Sequence, residues 1–210
     1  MRPAPAALAA LLLLSACAPE PPGPAAVVPA VTGWRAAATH ADRERLREWR
    51  TAFLRALQQA RTAGHGVEIA REGALLQPDA ALDHVTPPPG LYRCLTIKVG
   101  AKSQGMLDFV AYPAFRCRIS ASVESGVLDF SKETGSQRAI GRFFPENGRR
   151  MTFLGSLQLG DEQAVLRYGH DAERDVAAFV ERVGDRRWRL IFPYPRFEST
   201  LDVLELVPAE

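Results

Sequence analysis

The chain has 210 residues, of which 47% are apolar and 24% are charged, and its formal net charge is +2 at pH 7. This length and composition are typical of one globular domain that buries a core of its own. The small net charge and the lack of any long run of like charges argue against nucleic acid as a partner. Arginines far outnumber the three lysines, Lys98, Lys102 and Lys132.

The first 16 residues are typical of a secretory signal. Arg2 precedes the apolar run Ala6–Leu14, which is shorter than the roughly 20 residues needed to cross a bilayer. The run ends in Leu14-Ser15-Ala16-Cys17, which resembles the lipobox of bacterial lipoproteins. This resemblance implies cleavage before Cys17, lipid on Cys17, and a place on the periplasmic side of the envelope. Ala18 favours the outer membrane, and an ordinary cleavage site with an incidental cysteine is the alternative.

The cysteine count bears on the rest of the chain. Three cysteines in an oxidising compartment leave one unpaired. With Cys17 lipidated, Cys94 and Cys117 remain, and the periplasm favours a disulfide between them. It would close a loop of about 23 residues and contribute about 3 kcal/mol. Two buried free thiols are the alternative.

Residues 17–33 predict an extended, proline-rich tether, and residues 34–90 predict a helix and a connector. Thr39 fits an N-cap with Asp42 reaching back to it. An apolar stripe follows at helical spacing, and Gly64 ends the helix. We expect the stripe to pack on the domain, with a membrane surface or a partner as the alternative. The stripe consists of Leu46, Trp49, Phe53, Leu57 and Ala60.

Residues 91–210 predict an antiparallel β-domain, because short β-rich runs are separated by turn residues every 8–12 positions or so. We expect a barrel or sandwich of about eight to ten strands preceded by the amphipathic helix, since closure removes exposed edges. Ala164–Tyr168 is one of the predicted strands. Residues 34–210 would then form one folding unit.

Several phrases along the chain are distinctive: WRAAATHADRERLREWR, REGALLQPDAAL, PPPGLYRC, AYPAFRCRI, TGSQRAIGRFFP, FLGSLQLGDE and FESTLDVLELVP. They are similar to a bacterial family, a domain of unknown function numbered 4893. The resemblance covers about Trp34 to Pro208 and implies one domain, but it implies no catalytic residues. Gly90-x-Tyr92 also faintly resembles calycin-type barrels, in which Gly-x-Trp opens the first strand, although Tyr92 departs from that Trp.

The usual motifs for catalysis and for metal or dinucleotide binding are missing from the sequence. We therefore expect no catalytic residue, no metal and no cofactor, although an acid pair without a local motif leaves an enzyme possible. The four histidines are isolated, without the spacing of metal ligands. They are His40, His65, His84 and His170.

Strand alternation gives the best candidates for a pocket, because residues i and i+2 share a face. Arg93, Lys132, Arg182 and Glu205 each lie on a face that is otherwise apolar. A lone buried charge is costly, so these residues either pair, lie at the rim, or line a wet cavity. Three positive charges and one negative charge favour an anion or a carboxylate. Strand ends in solvent or a different register are the alternative.

The leading functional hypothesis is a lipid-anchored periplasmic module that binds a small anionic or amphipathic ligand, or an envelope protein. One alternative is a proteinaceous inhibitor of a lysozyme-like enzyme. Another is a structural or assembly factor of the envelope.

Overall fold

The computed structural model describes residues 33–160 and 162–209. The predicted signal sequence, Cys17 and the tether up to residue 32 lie outside the described residues. Within the described ranges, four helices and a 3₁₀ turn come first: α1 (Trp34–Ala37), α2 (His40–Arg47), α3 (Trp49–Thr62), α4 (Gly66–Glu72) and the turn Gly73–Leu76. The strands that follow are β1 (Gly90–Ala101), β2 (Phe109–Ala111), β3 (Phe115–Ala121), β4 (Leu128–Lys132), β5 (Gln137–Asn147), β6 (Arg150–Leu159), β7 (Asp175–Gly184), β8 (Arg187–Pro193) and β9 (Ser199–Pro208).

The strands close into an eight-stranded antiparallel barrel, which confirms the mainly β prediction. Each barrel strand pairs with its neighbours in the order β1-β3-β4-β5-β6-β7-β8-β9, and β9 returns to β1 from Tyr92↔Pro208 to Ala101↔Ser199. The short strand β2 is an addition that pairs with β1 beyond the end of β3. The closed meander agrees with the calycin-type resemblance.

The predicted helix starts as expected but is divided in two. The hydroxyl of Thr39 accepts a hydrogen bond from the Asp42 N–H at 3.2 Å, so α2 begins at His40. Glu48, with φ −87° and ψ 9°, separates α2 from α3. The break lets α2 lie against β7 while α3 lies across β1 and β9.

The predicted strand Ala164–Tyr168 is wrong, since these residues belong to the irregular connection between β6 and β7. Tyr168 forms side-chain hydrogen bonds to the start of α2 and does not pair in the sheet. Its hydroxyl donates to a carboxylate oxygen of the fully buried Asp42 at 2.6 Å and accepts from the Thr39 N–H at 3.0 Å. The connection is thereby fastened to the start of α2.

The barrel interior holds the main core, with stacked and edge-on phenylalanines at its centre. Gly141 and Gly155 lie opposite each other across β5 and β6 beside the ring of Phe153. A Cβ on Gly141 would approach the Leu154 carbonyl to 2.2 Å, so the close approach here requires glycine.

A second core lies outside the barrel, where the helices cover one wall. Phe53 and Leu57 of α3 pack on Ile97 and Val99 of β1 and on Val203 of β9. Both faces of β1 and β9 are therefore apolar over part of their length.

A buried ion cluster fastens the helical layer to this wall. Arg189 is fully buried and donates to Glu181 at 2.6 Å and to the carbonyls of Ala74, Leu75 and Gln77 at the 3₁₀ turn. These acceptors satisfy the guanidinium and the turn carbonyls together, so the charge is compensated. We assign it a structural role.

One end of the barrel, called the closed end and defined by Val85, Tyr92 and Trp188, is sealed by the connector. The Trp188 indole N–H donates to the Val85 carbonyl at 2.7 Å, and the Tyr92 hydroxyl donates to the Pro88 carbonyl at 2.5 Å. The two rings meet edge to face at 6.3 Å.

The predicted disulfide is confirmed. Cys94 and Cys117 are bonded, with their Cα atoms 6.0 Å apart and a sequence separation of 23. Both cysteines belong to the interior core and join β1 to β3.

Candidate functional site

A cavity of about 210 Å³ occupies the opposite end of the barrel. This end is called the mouth and is defined by Lys98, Lys132, Gln137 and Asp202, which lie near the ends of β1, β4, β5 and β9. The antiparallel order brings these four strand ends together, although they are far apart in sequence.

The floor of the cavity is apolar. Ala139 and Leu204 lie two positions further along β5 and β9 than Gln137 and Asp202, on the same inner face. Val176 and Phe192 complete the floor and belong to the same interior core. Below them, the ring of Phe153 packs edge-on against Phe192 at 5.9 Å. The cavity therefore ends on the aromatic core and offers an apolar surface to a ligand.

Lys98 is compensated within the cavity. Its Nζ lies 2.9 Å from an Asp202 carboxylate oxygen and 3.4 Å from a Glu198 carboxylate oxygen. Burial alone would lower the pKa of Lys98, but these two acids outweigh it and raise the pKa. Burial raises the pKa of Asp202, against the opposing effects of Lys98 and of the Ser199 hydroxyl that donates to it.

Lys132 lacks such compensation. Its residue is 7% exposed, its Nζ donates to the Gln137 carbonyl at 2.8 Å, and it lies 3.8 Å from the centre of the Phe115 ring. Among the described residues, no carboxylate lies within salt-bridge distance of it. Burial, with smaller contributions from the positive charges of Lys98 and Arg138, lowers the pKa of Lys132 to about 8.

Gly135 makes room for this arrangement. Its φ is +94°, and a Cβ there would come within 2.9 Å of both the Lys132 Nζ and the Phe115 ring. The turn between β4 and β5 thus needs glycine for its backbone and for its neighbours.

The loop from Tyr194 to Glu198 forms one wall of the cavity, and both end residues have positive φ, 47° and 69°. Lys102 holds this loop by donating to the carbonyls of Pro195 and Arg196, each at 2.7 Å. A groove on the other side of this loop is also lined by Lys102.

Of the four sequence-predicted pocket residues, Lys132 lines the cavity and the other three do not. Arg93 is exposed on the outer face of β1. Arg182 lies near the closed end and donates to the Asp83 carbonyl at 2.9 Å. Glu205 lies on the outer face of β9 and accepts from Arg187 at 2.6 Å.

Sequence reasoning missed Lys98 and Asp202. A signal was available for Lys98, because it shares a face of β1 with Cys94, and the cysteine pair predicts that this face is interior. No comparable signal identified Asp202, whose partner is 104 residues away.

In the described ranges, no group of three or more His, Cys, Asp and Glu side chains is placed to hold a metal ion. None of the helices in the same ranges combines the length and apolar character that a bilayer-crossing segment needs.

Comparison with known proteins identifies the domain. The sequence model of the family described as "Domain of unknown function (DUF4893)" matches residues 34–206. The chain belongs to this family. The DUF4893 match spans the helices and nearly the whole barrel, including every residue of the mouth. No curated protein and no solved structure shows a significant match.

Proposed function

We propose that the protein is a lipid-anchored binding module of the bacterial envelope that holds a small anionic amphiphile in the mouth cavity. The observation that carries the proposal is Lys132, a buried cation without an acidic partner among the described residues, above an apolar floor. Desolvating an ammonium group without a counter-charge is unfavourable. A ligand carboxylate at the Lys132 Nζ would supply the missing charge.

The same geometry supports an orientation for the ligand. Its carboxylate would meet Lys132 at the mouth, and its apolar end would rest on Val176, Phe192 and Leu204. A volume of about 210 Å³ corresponds to about seven waters at the share of about 30 Å³ that each takes in the liquid. It is below the range of about 300–1,000 Å³ typical of drug-sized ligands, so the ligand is small.

The envelope location rests on the sequence. A signal that ends in Leu14-Ser15-Ala16-Cys17 supports lipid on Cys17 and a membrane partner. Stable attachment requires more than one acyl chain, which lipoprotein processing would provide. A Cys17→Ala chain is expected to leave the membrane fraction, and its retention there would contradict the anchor.

Calorimetric titration with hexanoate, with hexanamide as the neutral counterpart, tests the ligand proposal. We expect hexanoate to bind and hexanamide not to, with hexanoate affinity falling as pH rises through about 8, where Lys132 loses its proton. Lys132→Met should weaken hexanoate binding at least about tenfold, the equivalent of about 1.4 kcal/mol. Arg93→Met, the same kind of change on the outer wall, is the matched control and should bind as the parent does.

Equal binding by Lys132→Met and the parent would refute the ligand proposal. If neither hexanoate nor related small acids bind, the ligand proposal is also refuted, and the two interaction hypotheses, an inhibitor or an assembly factor, remain. A lysozyme-inhibition assay and crosslinking in cells then separate an inhibitor from an assembly factor.

A further inference from the structure

The lysines of the chain lie at the mouth of the barrel and in the groove beside it. The chain has 26 lysines and arginines together, and its three lysines are Lys98 and Lys132 in the cavity and Lys102 in the adjoining groove. All the remaining residues of these two types are arginines. A guanidinium stays protonated, whereas a buried ammonium can lose its proton and become a nucleophilic amine. This distribution points to chemistry that only lysine can perform.

The three lysines differ in the groups that their side-chain nitrogens contact. Lys98 contacts Asp202 and Glu198, and the exposed Lys102 donates to two loop carbonyls. Both arrangements offer acceptors to an ammonium group, and burial, with Arg196, lowers the pKa of Lys102. Lys132 is the one that combines burial with the lack of an acidic partner in the described part of the chain.

The groups that face Lys132 favour its neutral form. Lys98 on β1 and Arg138 on β5 are positive, while Asp202 on β9 is negative and already contacts Lys98. With the pKa of Lys132 near 8, about one amine in ten is neutral at pH 7, compared with about one in 3,000 for an ordinary lysine. In the neutral amine, one N–H donates to the Gln137 carbonyl and the lone pair is available to the cavity.

We propose that Lys132 captures a small apolar aldehyde or ketone as a reversible imine inside the mouth cavity. This inference rests on the proposed ligand-binding function and assigns a second ligand class to the same pocket. Carboxylates would bind the ammonium form of Lys132, and carbonyl compounds would react with its neutral form.

The step balances without a redox partner. The Nζ lone pair forms a bond to the carbonyl carbon as the C–O π bond breaks, and a nitrogen proton passes to the oxygen to give a carbinolamine. The hydroxyl then leaves together with the second nitrogen proton as water, which breaks the remaining C–O bond and leaves the imine. Amine and carbonyl are thus converted to imine and water, and hydrolysis reverses the step.

Reductive trapping tests the proposal on the full chain in detergent. The probe is hexanal with sodium cyanoborohydride, and peptide mapping assigns the label among the three lysines. We expect at least about ten times more label on Lys132 than on Lys98 or Lys102, because Lys132 alone combines a place inside the cavity with the lack of an acidic partner among the described residues. Arg93→Met, on the outer wall of the barrel, is the matched control and should leave labelling of Lys132 unchanged.

Lys132→Arg separates this inference from the function on which it rests, because it keeps the charge and removes the amine. We expect it to bind hexanoate and to lose hexanal labelling at position 132, with its circular dichroism and melting temperature checking the fold. Label that follows exposure, greatest on Lys102, while hexanoate binding still depends on Lys132 would overturn the imine and leave the proposed function intact. Loss of any Lys132-dependent response to both probes would overturn the two together.

Discussion

The two ends of the barrel differ in whether their buried polar groups are satisfied. At the closed end, the polar atoms of Trp188 and Tyr92 donate to carbonyls of the connector, and their rings complete the core. At the mouth, Lys132 is buried without an acidic partner among the described residues, beside a cavity of about 210 Å³. The closed end is arranged for stability.

The mouth carries an energetic cost that stability alone does not explain. A buried polar group that is satisfied contributes to folding, whereas a buried cation without a counter-charge detracts from it. Natural proteins keep such unfavourable groups where function needs them. The comparison predicts that truncations at the two ends change stability in opposite directions.

The largest effect is expected at the closed end. Trp188→Ala should lower the free energy of unfolding by about 3–5 kcal/mol, because it leaves a cavity in the core and removes the hydrogen bond to Val85. Urea denaturation measures the loss. Trp188→Phe keeps much of the ring and should cost clearly less, and equal losses would show that the cavity is not the main contribution.

The disulfide joins β1 to β3 inside the barrel core. Replacing Cys94 and Cys117 together by serine should lower the free energy of unfolding by about 3 kcal/mol, given the 23-residue separation. The reduced parent protein is the control and should show a similar loss in urea. A double variant as stable as the oxidised parent would contradict this prediction.

At the mouth, Lys132→Met should raise the free energy of unfolding at pH 7 by about 2 kcal/mol. Lowering a lysine pKa from 10.5 to about 8 corresponds to about 3 kcal/mol, of which the lost hydrogen bond to Gln137 offsets about 1 kcal/mol.

The pH dependence of that gain has a defined sign. The pKa of Lys132 is lower in the folded protein than in the unfolded chain, so the penalty is full below about pH 8 and disappears as pH rises towards 10.5. The advantage of Lys132→Met in urea should therefore shrink between pH 7 and pH 10. A constant advantage would show that burial of the charge is not its cause.

The smallest effect is expected on the outer wall. Arg93→Ser should change the free energy of unfolding by less than about 0.5 kcal/mol, because its side chain is exposed and lies directly opposite Arg116. Thermal melting with and without hexanoate tests this variant. A loss of ligand-induced stabilisation would place Arg93 in the binding site after all.

Alternation identified the inward face correctly on two strands and wrongly on two. Lys132 and Arg182 continue the inward-facing rows of β4 and β7. Arg182, however, lies near the closed end and not in the cavity. Arg93 and Glu205 follow the outer faces of β1 and β9, which are apolar because α3 packs on them. A strand covered on both sides has no alternation from which an inner face can be chosen.

The sequence by itself determined the strand-rich class, the N-cap at Thr39 and the pairing of Cys94 with Cys117. These depend on local periodicity, on one side-chain hydrogen bond and on the cysteine count. Only the tertiary structure decided which faces point inward and which charges meet. Lys98 and Asp202 lie 104 residues apart in sequence, and their contact exists because β9 returns to β1 and closes the barrel.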